Sequence, residues 1–65
     1  MEILLWQVRD KKGYTLERLE QKSRISKSTL QRIETGETSP TMESMEKIAK
    51  AMNVRITDLF ESEYK

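Results

Sequence analysis

The segment from Ser26 to Gly36 is the feature that most limits how this chain can fold. Ser26 is a favourable helix N-cap and Gly36 a favourable helix end, so the pattern predicts a short helix between them. Leu30 and Ile33 are three residues apart and would form one buried stripe on that helix. The helix must therefore pack on one side against the rest of the domain and expose its other side.

The exposed side of this helix carries Lys27, Ser28, Gln31 and Arg32, and none of these residues is acidic. Side chains that donate hydrogen bonds suit phosphates and the acceptor edges of bases in the major groove of DNA. A second interpretation is that the outer face of any surface helix is polar. The segment alone does not separate these interpretations, so the rest of the chain has to be considered.

Length and composition exclude several classes of protein. The 65 residues predict one domain, residues 1–65, close to the smallest size for a fold without disulfides or metal. The chain has no cysteine and no histidine, which excludes disulfides, zinc fingers and histidine-based catalytic sites and leaves only carboxylate chemistry formally open. Two glycines are too few for a phosphate-binding glycine loop. We therefore expect no enzymatic activity, no cofactor, no metal ion and no small-molecule ligand.

The charges divide the chain into two parts. Residues 9–32 contain eight basic and three acidic side chains, whereas residues 33–65 contain four basic and seven acidic ones. This asymmetry favours a polyanion as partner, approached by the middle of the chain, although many charge runs are only solvated surfaces. The longest apolar run, Ile3 to Trp6, is too short to span a membrane, and no signal-peptide core follows it. We expect a cytoplasmic protein without membrane contact.

The remaining segments predict an all-α fold, because no β-branched residues alternate over the length of a strand. The predicted helices cover about residues 2–12, 15–23, 26–35, 41–53 and 54–60, followed by a polar tail over residues 61–65. Tyr64 is the only apolar anchor in that tail. The second and third helices are separated by about three residues, so they must cross steeply. This is the helix-turn-helix arrangement, here at about residues 15–35.

The apolar residues of these helices predict one continuous core, with the stripe of the fourth helix beginning at Met42. The predicted core residues are Leu5, Val8, Leu19, Ile25, Leu30, Ile33, Met45, Ile48, Met52, Val54, Leu59 and Phe60. Ile3, Leu4, Leu5 and Trp6 are consecutive, and four such side chains cannot share one helix face. At least one of them lies off the core, with Trp6 or Leu4 either packed under the C-terminal tail or exposed to a partner.

Together these segments resemble a known family. The motifs are residues 12–19 (KGYTLERL), residues 25–36 (ISKSTLQRIETG), residues 40–43 (PTME) and residues 48–54 (IAKAMNV) with Leu59-Phe60. They resemble the Cro/C1-type, or XRE-type, helix-turn-helix family of phage and bacterial transcriptional regulators over nearly the whole chain. The resemblance implies a compact, lambda-repressor-like bundle of about five helices whose third helix recognises the major groove.

The resemblance also implies roles for individual residues. It implies that Lys27, Ser28 and Arg32 contact bases. It also implies that Arg9 and Glu34 form an ion pair. The predicted phosphate contacts are Lys12, Lys22, Arg24, Thr29, Thr35 and Ser39. Arg32 fits its role chemically, because a guanidinium can pair with guanine through two hydrogen bonds.

Four positions depart from the family pattern. Leu16 stands where a phosphate-binding glutamine is common, and Glu20 where a small alanine is common. Arg24 stands where glycine is common, and Glu37 where a basic residue is frequent. A carboxylate at Glu20, between closely packed helices, must reach solvent or a cation, and Arg24 or Lys22 would partly neutralise it. Arg24 carries a side chain where φ is expected to be positive.

Two functions remain open from the sequence. The first is a sequence-specific regulator of transcription that binds double-stranded DNA, most simply a repressor, as a homodimer at least on DNA. The second is a protein-interaction module on the same fold, for example an antirepressor or an antitoxin-like partner, in which Leu16, Glu20 and Trp6 face protein.

Overall fold

The computed structural model describes residues 1–65 as a small helical bundle. The elements in chain order are β1 (Glu2–Ile3), α1 (Leu5–Lys12), α2 (Leu16–Ser23), α3 (Lys27–Thr35), α4 (Met42–Met52), a 3₁₀ helix (Ile56–Leu59) and β2 (Phe60–Glu61). Helix α2 packs against α3 and α4, and α1 packs against α3 and the 3₁₀ helix. The all-α helix-turn-helix prediction is confirmed, but with four α-helices rather than about five. No helix is both long enough and apolar enough to cross a lipid bilayer.

Local side-chain chemistry sets most helix ends. The hydroxyls of Thr15, Ser26 and Thr41 each accept a hydrogen bond from the backbone N–H three residues later, at 3.1, 3.2 and 3.0 Å. Each bond satisfies one of the donors that a helix leaves free in its first turn. Gly13 and Gly36 end α1 and α3 with φ values of 72° and 83°, which glycine adopts without strain.

The two ends of the chain meet in a feature that the sequence analysis missed. Strand β1 pairs antiparallel with β2, with Ile3 opposite Phe60, and the Leu4 N–H donates to the Leu59 carbonyl at 2.8 Å. Because the backbone before α1 is hydrogen-bonded to the end of the chain, α1 begins at Leu5, three residues later than predicted. The prediction of an entirely helical chain is therefore wrong at these two short strands. We call this pairing the terminal clasp.

The C-terminal segment also differs from the prediction. Only residues 56–59 of the predicted last helix are helical, and they form a single 3₁₀ turn in which the Asp58 carboxylate accepts the Arg55 N–H at 3.0 Å. Phe60 and Glu61 then leave the helix to join the terminal clasp. Tyr64 is 90% exposed, so it does not anchor the tail.

The core lies between α2, α3 and α4 and is closed by Leu5 and Leu59. Eight of the twelve predicted core residues are buried, and Val8, Ile25, Val54 and Phe60 are half-buried against them. Ala49 is a further buried member. Met42 is 67% exposed, because it lies in the first turn of α4 at the edge of the buried stripe.

The run from Ile3 to Trp6 places at least one side chain off the core, as predicted, because neither Leu4 nor Trp6 belongs to the packed cluster. Leu5 is buried, Ile3 and Leu4 are half-buried, and Trp6 is 49% exposed. Trp6 lines a groove of about 370 Å³ with Ile33, residues 34–36 and residues 38–40, and no residue of the C-terminal tail lines it. We call it the Trp6 groove.

An ion pair joins α1 to α3. Arg9 Nε lies 2.7 Å from Glu34 Oε2, and Arg9 Nη2 donates to Glu34 Oε1 at 3.3 Å. A third donor, Nη1, reaches the carbonyl of Tyr14 in the turn before α2 at 3.0 Å. The side chains of Arg9 and Glu34 are only 22% and 9% exposed. The contact that the family resemblance implied is thus present, and it is largely shielded from water.

Replacing Glu34 by alanine should destabilise the domain strongly, because it leaves the Arg9 guanidinium shielded and without its carboxylate. We expect a loss of about 3 kcal/mol in the free energy of unfolding, measured by urea denaturation followed by circular dichroism. Glu43→Ala is the matched control, since Glu43 pairs with Lys47 on an exposed surface at 3.7 Å. Its cost should stay below about 1 kcal/mol. Equal costs for the two variants would contradict a structural role for the Arg9 pair.

Leu30 tests the assignment of the faces of α3. It is fully buried, so Leu30→Ala should lower the free energy of unfolding by about 2 to 5 kcal/mol through lost contacts and a residual cavity. Met42→Ala removes a side chain of similar size from an exposed position and should change stability by less than about 0.5 kcal/mol. Thermal melts of both variants compare them directly. Similar melting temperatures would show that the inner face of α3 has been misidentified.

Candidate nucleic-acid interface

Helix α3 presents one continuous exposed face. Lys27, Ser28, Gln31 and Arg32 are all exposed, while Leu30 and Ile33 on the opposite side are buried. The Arg32 side chain makes no ion pair and no hydrogen bond within the chain. Its five N–H donors are thus free to bind an external group. The three residues predicted to contact bases therefore share this face.

Thr29 and Thr35 lie on α3 in different surroundings. Thr29 is half-buried, and its hydroxyl accepts a hydrogen bond from the Ser26 hydroxyl at 2.8 Å. Thr35 is exposed in the last turn, and its hydroxyl donates to the Arg32 carbonyl at 3.2 Å. Both threonines were predicted to contact phosphates, but only Thr35 lies on the exposed face of the helix.

Lys27 is held by two carboxylates of α2. Its ammonium is bonded to Glu17 Oε2 at 2.5 Å, and its backbone N–H donates to Glu20 Oε2 at 2.9 Å. The hydrogen bond with Lys27 lowers the pKa of Glu17, and the same bond raises the pKa of Lys27. Both groups consequently stay charged over a wider pH range than either would alone.

Glu20 does not behave as the sequence analysis expected. Its carboxylate makes no ion pair with Arg24 or Lys22, but accepts the first backbone N–H of α3. A negative charge is favoured there because the N-terminal end of a helix carries free N–H donors and a partial positive charge. The residue that seemed to crowd the two helices instead joins them.

The turn between α2 and α3 contains a strained residue. Arg24 has φ 63° and ψ 24°, the left-handed conformation that was predicted for this position. Its N–H donates to the Glu20 carbonyl at 2.9 Å, which ends α2. A side chain in this conformation costs on the order of 1 kcal/mol relative to glycine.

Helix α2 has two edges of opposite charge. Glu17 and Glu20 contact the start of α3, whereas Arg18 and Lys22 lie over the ring of Tyr14, at 4.5 and 5.7 Å from its centroid. Five residues separate Glu17 from Lys22, which is about 140° around a helix. Lys22 therefore points toward α4 rather than toward α3.

The predicted phosphate-binding residues do not form one cluster. Lys22 and Arg24 line a shallow depression of about 580 Å³ with Lys47 and Lys50 of α4. Lys12 lies in another depression, of about 870 Å³, between α1 and the segment before the 3₁₀ helix. The six predicted residues are thus distributed over at least three parts of the surface.

Ser39 lines the Trp6 groove, next to the C-terminal end of α3. In the same groove Gln7 Oε1 is buried and has no hydrogen-bond partner. Sequence reasoning missed Gln7, because nothing in the pattern of α1 separates it from other polar residues. Sequence reasoning also missed the contact of Glu17 with Lys27, although an acidic residue near the start of α2 and a basic residue at the start of α3 were a visible signal.

Comparisons with known proteins agree with this geometry. The family model described as Helix-turn-helix matches residues 7–59. The HTH-type transcriptional regulator SlrR of Bacillus subtilis is 38% identical over 56 residues, which are 85% of this chain and 37% of SlrR. The HTH-type transcriptional regulator SutR of Escherichia coli is 42% identical over 50 residues, which are 77% of this chain and 28% of SutR. The chain thus spans well under half the length of either relative.

A solved structure shares the whole fold. The N-terminal DNA binding domain of SinR from Bacillus subtilis superposes with a TM-score of 0.78 and 29% sequence identity. The superposition covers 94% of this chain and 90% of the SinR domain. With the family match over residues 7–59, these similarities show that the chain belongs to the Cro/C1-type helix-turn-helix family.

Proposed function

We propose that this domain binds double-stranded DNA sequence-specifically, with α3 in the major groove, as part of a regulator of transcription. The observation that carries the proposal is the exposed face of α3, where Lys27, Ser28, Gln31 and Arg32 offer donors and α3 itself contributes no acid. The one acid of α3, Glu34, is turned inward to Arg9. Family membership, and a structural relative described as a DNA binding domain, support the same function.

In this proposal Arg32 makes the most specific contact. Its guanidinium is exposed and unpaired, so it can donate two hydrogen bonds to O6 and N7 of a guanine. Lys27 and Ser28 lie one turn nearer the start of the same helix and contact neighbouring base edges. Phosphate contacts are assigned to Thr35 and Ser39 near the end of α3. For Lys12, Lys22, Arg24 and Thr29 the assignment rests on the family resemblance alone, because the first three lie on other parts of the surface and Thr29 is half-buried.

Two copies of the domain act together on DNA. One helix-turn-helix unit buries little DNA surface, and paired half-sites about one helical turn apart are the usual remedy. A regulator that acts only by occupying its operator is most simply a repressor. It would act in the cytoplasm. The relatives are named as transcriptional regulators, which supports binding rather than enzymatic catalysis.

One observation favours a second function, a protein-interaction module. Trp6 is half-exposed in the Trp6 groove, where it is available to an apolar partner side chain. Glu20 is engaged with α3 and Leu16 is half-buried, so neither supports a partner surface as Trp6 does. DNA binding is the better supported of the two functions, because the donor face of α3 is chemically specific and the family match points the same way.

Arg32→Ala should separate base recognition from general attraction to DNA. A preferred duplex is first selected from random fragments by binding to the wild-type domain. Fluorescence anisotropy should then show a loss of about 1 to 3 kcal/mol on this duplex and little change on a scrambled one, since a base contact carries the sequence information.

Lys12→Ala and Lys22→Ala should behave differently from Arg32→Ala. Each should weaken binding to both duplexes about equally. Each should also lower the dependence of log K on log salt by about one unit, the contribution of one phosphate contact. Lys65→Ala is the charge-matched control outside the proposed interface. If the wild type prefers no duplex, and Trp6→Ala abolishes binding of a protein partner, the interaction-module function replaces DNA recognition.

A further inference from the structure

The Glu17–Lys27 pair connects the first turn of α2 with the first residue of α3. The contact is short, at 2.5 Å, although the two side chains are 62% and 48% exposed. Ion pairs this exposed contribute little to folding, since water competes with each partner. The pair is therefore not needed to hold the two helices together, and the Glu20 contact with the Lys27 backbone already does so.

The pair changes what Lys27 can offer to DNA. An ammonium that is already neutralised by a carboxylate gains little from one more phosphate and releases no additional counterion. Arg32, on the same face, has no such internal partner.

A base edge differs from a phosphate as a partner for this pair. Purine N7 and O6 atoms in the major groove are neutral acceptors, so they can take a hydrogen bond from Lys27 without repelling Glu17. An ammonium has three donors, so Lys27 can keep its bond to Glu17 while it donates to such a base. The paired Lys27 is consequently suited to bases and poorly suited to phosphates.

We propose that Glu17 is a specificity-determining residue that withholds the Lys27 ammonium from DNA phosphates, so that Lys27 adds to binding only where a base acceptor is present. The inference rests on the proposed function, because it assumes that α3 faces DNA. Glu17 touches no DNA in this arrangement, and it acts through Lys27 as a positioning residue. The lowered pKa of Glu17 and the raised pKa of Lys27 are consistent with a pair that persists at neutral pH.

The test is a double-mutant cycle of Glu17→Gln and Lys27→Met, with anisotropy titrations on the selected and scrambled duplexes at several salt concentrations. Glu17→Gln should tighten binding to the scrambled duplex about fivefold and binding to the selected duplex less than twofold. The ratio of the two affinities, which is the discrimination, should therefore fall. It should also steepen the salt dependence on the scrambled duplex by about 0.9 units, the contribution of one more neutralised phosphate. In the Lys27→Met background, Glu17→Gln should leave both the discrimination and the salt dependence unchanged.

Controls separate this effect from simple removal of a negative charge. Glu43→Gln makes the same charge change at another exposed lysine pair, and it should alter neither discrimination nor the salt dependence. Thermal melts should show that Glu17→Gln and Lys27→Met fold as the wild type does, because both positions are exposed.

Two results would overturn the inference. Equal tightening on both duplexes, or the same Glu17→Gln effect with and without Lys27, would mean that Glu17 acts only by general repulsion, while the DNA-binding function would stand. If the wild type binds no duplex at all, the proposed function fails, and the role of Glu17 fails with it.

Discussion

The ion pair between Arg9 and Glu34 is the contact on which the position of α3 depends. The Arg9 guanidinium binds the Glu34 carboxylate of α3 through two donors and the Tyr14 carbonyl through a third. It thus joins three elements, which are α1, α3 and the turn that precedes α2. Apolar packing of Leu30 and Ile33 sets how deeply α3 lies, but it is not directional. The hydrogen-bonded pair adds direction, because a planar guanidinium donates to a carboxylate only in particular orientations. The same contact keeps Glu34 away from the face proposed to meet DNA.

Features that depend on neighbouring residues could be predicted from the sequence. Thr15, Ser26 and Thr41 cap their helices as expected, and Gly36 ends α3, because capping requires only residues within one turn. The shared face of Lys27, Ser28 and Arg32 follows from helical periodicity in the same way. The Arg9–Glu34 contact spans 25 residues, and only the family resemblance suggested it.

Features that depend on distant residues could not be predicted in this way. Strands of two residues are too short to show an alternating pattern of apolar and polar residues. The pairing of β1 with β2 can therefore be recognised only from the structure, in which the two ends of the chain lie side by side. Glu20 seemed to be an unfavourable charge because its partner, the backbone N–H of Lys27, has no side-chain signature. The separation of Lys22 from α3 likewise depends on which edge of α2 faces α4. A formal net charge of +1 conceals this arrangement, in which the acidic edge of α2 contacts the start of α3 and the basic edge lies over Tyr14.

The terminal clasp has a consequence for how the domain folds and opens. It joins residues 2 and 61, so it closes a loop that spans almost the whole chain, whereas α2 and α3 contact each other across a turn of three residues. Closing a longer loop costs more conformational entropy, so the helix-turn-helix forms at lower entropic cost than the clasp does. The backbone hydrogen bonds of Ile3 and Leu4 therefore belong to a unit that opens locally, while those of α3 open only when the core itself does. The domain thus opens most easily where its two ends meet, beside the groove that Ile3 shares with the C-terminal end of α3.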